Sequence, residues 1–205
     1  MDETVSFGGY WYLVMLIVLV VARGMDFLST WIATPNLALE GNPIAKKLGW
    51  TGGLLVNAAL VFVLAHWPAP SIVVATASLL VAARNFQSAW LMRSLGEDAY
   101  RQWYVSRIRG ARFRLFLFCL AGNTLLTAAV GAALVCFSPL PNILPLSIGM
   151  GIITYSFAVA LFTGLGTWRI RRSLRQQDRL HTALPNRREP VEILAAPTVY
   201  PAAED

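Results

Sequence analysis

The chain has 205 residues, of which 56% are hydrophobic and 14% charged, and its mean hydropathy of +0.55 is above what a water-soluble domain carries. The apolar residues fall in several runs of about 17 to 26, each long enough to cross a hydrocarbon core of ~30 Å at ~1.5 Å per residue, which excludes a soluble globular fold. The net charge of +6 invites a nucleic-acid reading, but in a multipass chain basic residues mainly report orientation, and no nucleic-acid partner is expected.

Residues 1–9 carry Asp2 and Glu3 and no basic residue. A secretory signal needs a positive start, so the first apolar run is expected to be retained. That run, residues 10–32, opens with Tyr10, Trp11 and Tyr12, which suit a headgroup interface. The polar segment 35–49 follows, then a second span over 51–67. Pro68, Ala69 and Pro70 predict a tight turn, since each proline removes a helix hydrogen bond. The third span covers 71–91 and closes a three-helix unit over residues 10–92.

Over residues 93–112 Leu95, Tyr100, Trp103, Tyr104 and Ile108 recur at roughly helical spacing among Arg101, Arg107 and Arg109, which predicts an amphipathic helix at the membrane surface. Residues 113–168 form a helical hairpin, with a fourth span at 113–137, a proline-rich turn at 138–145 and a fifth span at 146–168. The tail, 169–205, has too few apolar residues to order itself. Cys119 and Cys136 share one run 17 residues apart. On one helix they stand ~25 Å apart, beyond disulfide reach, and they are expected as small core residues. The fold class expected is all-α, an integral membrane bundle of five transmembrane helices. Ser147 with Gly151, and Gly164 with Gly166, are the small residues expected to allow close helix approach.

All but two of the 17 Lys and Arg residues fall in 35–49, 93–114 and the tail. The exceptions, Arg23 and Arg84, lie inside spans. The positive-inside rule then puts the N-terminus outside and the C-terminus in the cytoplasm. Arginine outnumbers lysine 15 to 2, and a bacterial inner membrane is the expected location.

An ionisable side chain near the bilayer centre costs roughly 2.5 to 3.5 kcal/mol on insertion scales and needs a partner or a reason. Counted from the outer ends, Arg23 and Arg84 each lie ~20 Å deep and Asp26 ~24 Å, with Asn57 and Asn85 at a similar level. Arg23, Asp26 and Thr30 share one face of the first span, and Arg84, Gln87 and Ser88 one face of the third. Facing stripes predict an Asp26–Arg84 pair supported by Arg23, Asn57 and Asn85. Three uses fit these residues: a structural pair or arginines snorkelling to the interface, a solute, ion or proton site, and catalysis. Glu40-Gly41-Asn42-Pro43 reads as a turn whose Gly and Asn supply left-handed angles and whose Pro opens the next helix, which leaves the acidic residue unexplained.

Asp26-Phe27-Leu28-Ser29-Thr30 followed by Glu40-Gly41-Asn42-Pro43 resembles a family of small multipass membrane proteins known only as a domain of unknown function. Its motif is Asp-x-x-x-Thr near the inner end of the first helix, then Glu-x-Asn-Pro in the following loop. The likeness covers residues 23–91. It implies a shared three-helix unit and no known activity. Members often have a Lys in the second helix where this chain has Asn57, which weighs against a charge-coupled role.

The sequence contains no His-Glu-x-x-His, no Gly-x-Ser-x-Gly and no phosphate-cradling glycine loop. Within the spans Asp26 is the lone carboxylate, so metal catalysis is disfavoured; no metal or cofactor is expected. Two functions remain. The first is a non-enzymatic scaffold or partner-binding protein that uses Arg101, Arg107 and Arg109 against anionic lipid or a cytosolic protein. The second is transporter-like binding of a small cation or polar solute by Asp26, Thr30, Glu40 and Asn42 at a cytoplasm-facing site.

Overall fold

The computed structural model describes residues 4–39, 43–139 and 142–183, and these are helical throughout apart from short connections. The elements are α1 (Tyr10–Ala33), α2 (Pro43–Leu64), α3 (Pro68–Leu95), α4 (Glu97–Gly110), α5 (Phe113–Cys136) and α6 (Ile143–Ala183). All but α4 include a stretch long and apolar enough to cross a membrane. The protein is a multipass, all-helical membrane bundle.

Local chemistry explains the boundaries. Pro68 to Pro70, expected as a turn, instead form the first turn of α3, where a missing N–H has no helical acceptor to lose and a fixed φ suits the helix. Gly49, at φ 65°, breaks α2 into a short entry piece and the helix proper. Trp50 Nε1 ties that break to the preceding loop by donating to Pro35 O at 2.8 Å. Gly96, at φ 79°, is the whole connection between α3 and α4, a conformation that favours glycine. The short α4, 14 residues, suits its own dipole, with Glu97 and Asp98 in the first turn and Arg107 and Arg109 in the last.

Two expectations change here. The tail does not lose order at 169: α6 runs on to Ala183, 41 residues in all, or ~60 Å, about twice a hydrocarbon core. A helix already nucleated in the membrane extends cheaply into a polar sequence, because propagation costs far less than nucleation. Residues 184–205 lie outside the described residues. Cys119 and Cys136 are free, as expected, but both are exposed on α5 rather than packed in the core.

The α1/α3 interface is the most extensive, followed by α5/α6 and α3/α6, while α2 touches α1 and α3 only lightly. On α1 the buried positions include Tyr12, Met15, Leu19, Ala22, Ser29 and Ala33; on α3 they include Pro68, Ser71, Ala75, Ser78, Ala82 and Ala89. Both sets follow the alternating three and four spacing of a coiled-coil seam. Contacts such as Ser29 with Asn85 set the two helices parallel with an offset of 56 residues. The small residues of α3 let the larger side chains of α1 lie close. Tyr12, Met15, Leu19 and Ala22 join Val61, Ala65, Ile72 and Ala75 in one apolar cluster toward the N-terminal end of α1. Tyr12, expected at an interface, is 3% exposed, whereas Tyr10 is 74% exposed.

The tightest glycine contacts onto the backbone of another helix lie outside the two expected pairs of small residues. A Cβ built on Gly131 of α5 meets the Gly149 carbonyl at 2.7 Å, and one on Gly149 meets the Gly131 carbonyl at 2.6 Å. Gly151 packs on α3, its built Cβ falling 2.8 Å from the Val73 carbonyl, while Gly164 and Gly166 meet nothing within 4 Å. Gly131→Ala is therefore expected to cost about 1–3 kcal/mol through overpacking against backbone, read as a lowered unfolding temperature in detergent. Gly164→Ala should leave that temperature unchanged or higher; equal losses would show that the α5/α6 backbones are not in contact.

Candidate functional site

Below the apolar cluster α1, α2 and α3 share a polar layer. Arg23 lies next to the buried seam residue Ala22, turned toward α2. Its Nη1 donates to Asp26 Oδ2 at 2.8 Å and to Ser78 Oγ of α3 at 3.0 Å. Its Nε donates to Asn57 Oδ1 of α2 at 2.6 Å, and Nη2 donates to the same oxygen. Asn57 in turn donates from Nδ2 to Gly53 O at 2.8 Å, which aims its oxygen at the guanidinium. A Lys at 57 would set a second cation against Arg23; Asn supplies an acceptor instead.

One turn further along, Asn85 Nδ2 reaches Thr30 Oγ1 at 3.2 Å and Ser29 Oγ at 3.3 Å. Ser29 Oγ donates to Asp26 O at 2.9 Å. The layer thus gathers Arg23, Asp26, Thr30, Asn57 and Asn85, together with Ser29 and Ser78, which sequence reasoning passed over. The signal for Ser78 was the spacing of small residues on α3, where Ser71, Ser78 and Asn85 stand seven apart, and for Ser29 its place seven residues after Ala22 on α1.

Asp26 and Arg84, expected as a pair, are each seen with another partner. Asp26 pairs with Arg23, one turn earlier in its own helix, and Arg84 donates from Nη2 to Thr163 Oγ1 of α6 at 3.2 Å. The reason is rotation: neighbouring residues on a helix point ~100° apart, so when Asn85 faces α1, Arg84 faces α6. Gln87, placed with Arg84 on the expected stripe, is exposed. Glu40 and Asn42 lie outside the described residues. Among the described residues no three His, Cys, Asp or Glu side chains gather as a metal site would require.

A second constellation sits at the end of the bundle where α3 turns into α4. Arg171, on the extension of α6, donates from Nη2 to Ala111 O at 2.8 Å and Ile108 O at 3.2 Å, so a cation closes the negative end of α4. Its guanidinium also lies over the Phe113 ring at 4.6 Å. At the other end of α4, the Glu97 carboxylate accepts from the backbone N–H groups of Asn36 at 2.9 Å and Ala38 at 3.2 Å, around Leu37 at φ 55°. Between these anchors α4 exposes Arg101, Arg107 and Arg109. Arg107 lies over Trp103 at 5.7 Å, and Tyr100 packs against Trp103 and Tyr104. Burial, and after it the neighbouring Tyr104, raises the Tyr100 pKa above the ordinary value, so its phenol stays neutral. A groove of about 500 Å³ runs between α4 and α6, lined by Gln102, Ser106, Arg109, Leu174 and Gln177 among others.

The polar layer makes a stability prediction. The Arg23 and Asp26 side chains are 25% and 17% exposed, so removing either one leaves a partly buried charge without its ion-pair partner, at about 1–3 kcal/mol. Arg23→Leu and Asp26→Leu are each expected to lower the unfolding temperature in detergent, and the double variant to lose clearly less than the sum of the two. Strict additivity would show that the two charges do not depend on each other.

No family model, curated protein or solved structure matches the chain.

Proposed function

We propose that this protein is a non-enzymatic membrane scaffold whose working surface is the basic platform formed by α4 and the extension of α6. The observation that carries this reading is the fixed presentation of the platform. Arg171 and Glu97 anchor the two ends of α4, leaving Arg101, Arg107 and Arg109 exposed beside the groove. Arg112, Arg114, Arg169, Arg172 and Arg175 add exposed charge to the same end of the bundle. The occupant that fits is anionic phospholipid, since basic residues beside an anionic surface are worth ~1 kcal/mol each and Trp103 and Tyr100 suit the headgroup level. A cytosolic protein with an acidic face is the other partner of that chemistry.

The same proposal includes the orientation, with the N-terminus outside and the platform in the cytoplasm of a bacterial inner membrane, on the strength of the charge asymmetry. It also includes the likeness over residues 23–91 to the domain-of-unknown-function family, supported by the joint place of Asp26 and Thr30 in one helix-joining layer. Transporter-like binding of a cation or polar solute by Asp26, Thr30, Glu40 and Asn42 is the less favoured reading. Arg23 neutralises the Asp26 carboxylate and Asn85 engages the Thr30 hydroxyl, so a solute would have to displace both.

Two measurements test the proposal. Phosphatidylglycerol added to the detergent-solubilised protein is expected to raise its unfolding temperature by several degrees over phosphatidylcholine, and Arg101→Gln, Arg107→Gln and Arg109→Gln together should remove most of that difference. An undiminished anionic-lipid effect would show that α4 is not the binding surface. Reporter fusions should read periplasmic at Pro70 and Ser138 and cytoplasmic at Gly110; a cytoplasmic signal at Pro70 would reverse the orientation.

A further inference from the structure

Helix α5 packs against α6 and no other described element. Its packed side is marked by the buried residues Thr124 and Gly131. Away from that side Cys119, Asn123, Leu126, Val130, Ala133 and Phe137 are all exposed. They follow one another at spacings of four, three, four, three and four residues, the repeat of a coiled-coil seam. Apolar side chains on such a face need no protein partner in a bilayer, because lipid tails solvate them as well as another helix would.

Asn123 is different. It stands ten residues after Phe113 and thirteen before Cys136, ~15 Å and ~20 Å from the two ends of α5, which is near the middle of a ~30 Å hydrocarbon core. Its backbone oxygen accepts from Thr127 Oγ1, but its exposed carboxamide has no hydrogen-bond partner among the described residues. Hydrocarbon supplies neither donor nor acceptor, so the amide requires one from another protein surface at the same depth.

We infer that α5 is a self-association surface on which two copies of this chain pair in parallel about a two-fold axis along the membrane normal, with Asn123 bonded to Asn123 of the second copy. A second copy is the occupant because a carboxamide carries both donor and acceptor and is its own complement. Two-fold symmetry also brings each residue near the axis opposite itself, which places the matching amide at the required depth without further design. An Asn at one seam position is the device that fixes register and partner number in helix pairs. The small residues Cys119 and Ala133 on the same stripe allow the backbones to approach.

The two native cysteines make the test specific. Cys119 lies on the stripe, one turn before Asn123, whereas Cys136, 17 residues after Cys119, lies ~100° away around the helix. The full-length protein is labelled for single-molecule photobleaching in liposomes, and separately oxidised in its membrane with copper-phenanthroline. The expected result is two-step bleaching for the parent and for Asn123→Gln, which keeps an amide. One-step bleaching is expected for Asn123→Leu, whose dimer fraction should fall at least fivefold at equal protein density. Because position 123 is exposed in the single chain, the Leu variant should keep the parent's fold, read as an unchanged helical circular-dichroism spectrum. Oxidation should link the Cys136→Ser variant through Cys119 and leave the Cys119→Ser variant as single chains. A monomeric parent, a dimer indifferent to Asn123→Leu, or a disulfide formed through Cys136 with none through Cys119 would each overturn the inference.

Discussion

One guanidinium holds the N-terminal half of this protein together. Arg23 extends from α1 and engages Asp26 on its own helix, Asn57 on α2 and Ser78 on α3, and it does so where water is scarce and an unpaired cation is costly. In a bilayer apolar surface supplies no net drive for helices to meet, since lipid solvates it equally well. Polar side chains that must find partners therefore decide which helices meet and at what height. The dependence is clearest for α2, which makes few other contacts with its neighbours and exposes Leu54, Leu55, Phe62 and Val63.

The seam between α1 and α3 works by the complementary means. Small residues on α3 bring the backbones close and give dispersion contacts that lipid tails, being mobile, match less well. The hydrogen bonds from Arg23 to Ser78 and from Asn85 to Ser29 then fix the register, because sliding one helix by a turn would break both. The α5/α6 hairpin uses the second means alone: Gly131 and Gly149 let backbone meet backbone. Arg84 adds a polar link between α3 and α6 through Thr163, so the two halves of the bundle are joined near the level of the polar layer.

At the basic end, side chains act on backbone. Arg171 caps the last carbonyls of α4, and Glu97 gathers the free N–H groups of the α1/α2 connection. Each charge meets backbone dipoles of opposite sign. The result couples α4 to α6 at one end and to the connection leading toward residues 40–42 at the other. A displacement of α4 would be felt at both places.

The five spans, the helix between the third and fourth, and the concentration of arginine in a few segments are legible in the sequence, because hydropathy, period and charge are properties of each segment taken alone. The sequence also assigns Arg23, Arg84, Asp26, Asn57 and Asn85 a common level, since position along a helix is counted at ~1.5 Å per residue. The expected turn at Pro68 to Pro70 and the early loss of helix after Trp168 failed for a local reason, that proline suits a first helical turn and that an existing helix propagates. What only the tertiary structure decided is which polar group meets which. That choice depends on the rotation of each helix about its axis, and a step of one residue, from Arg84 to Asn85, turns a side chain by ~100° and carries it from α6 to α1. Depth accumulates along the chain and can be counted from a sequence; azimuth is set by the neighbour against which the helix packs.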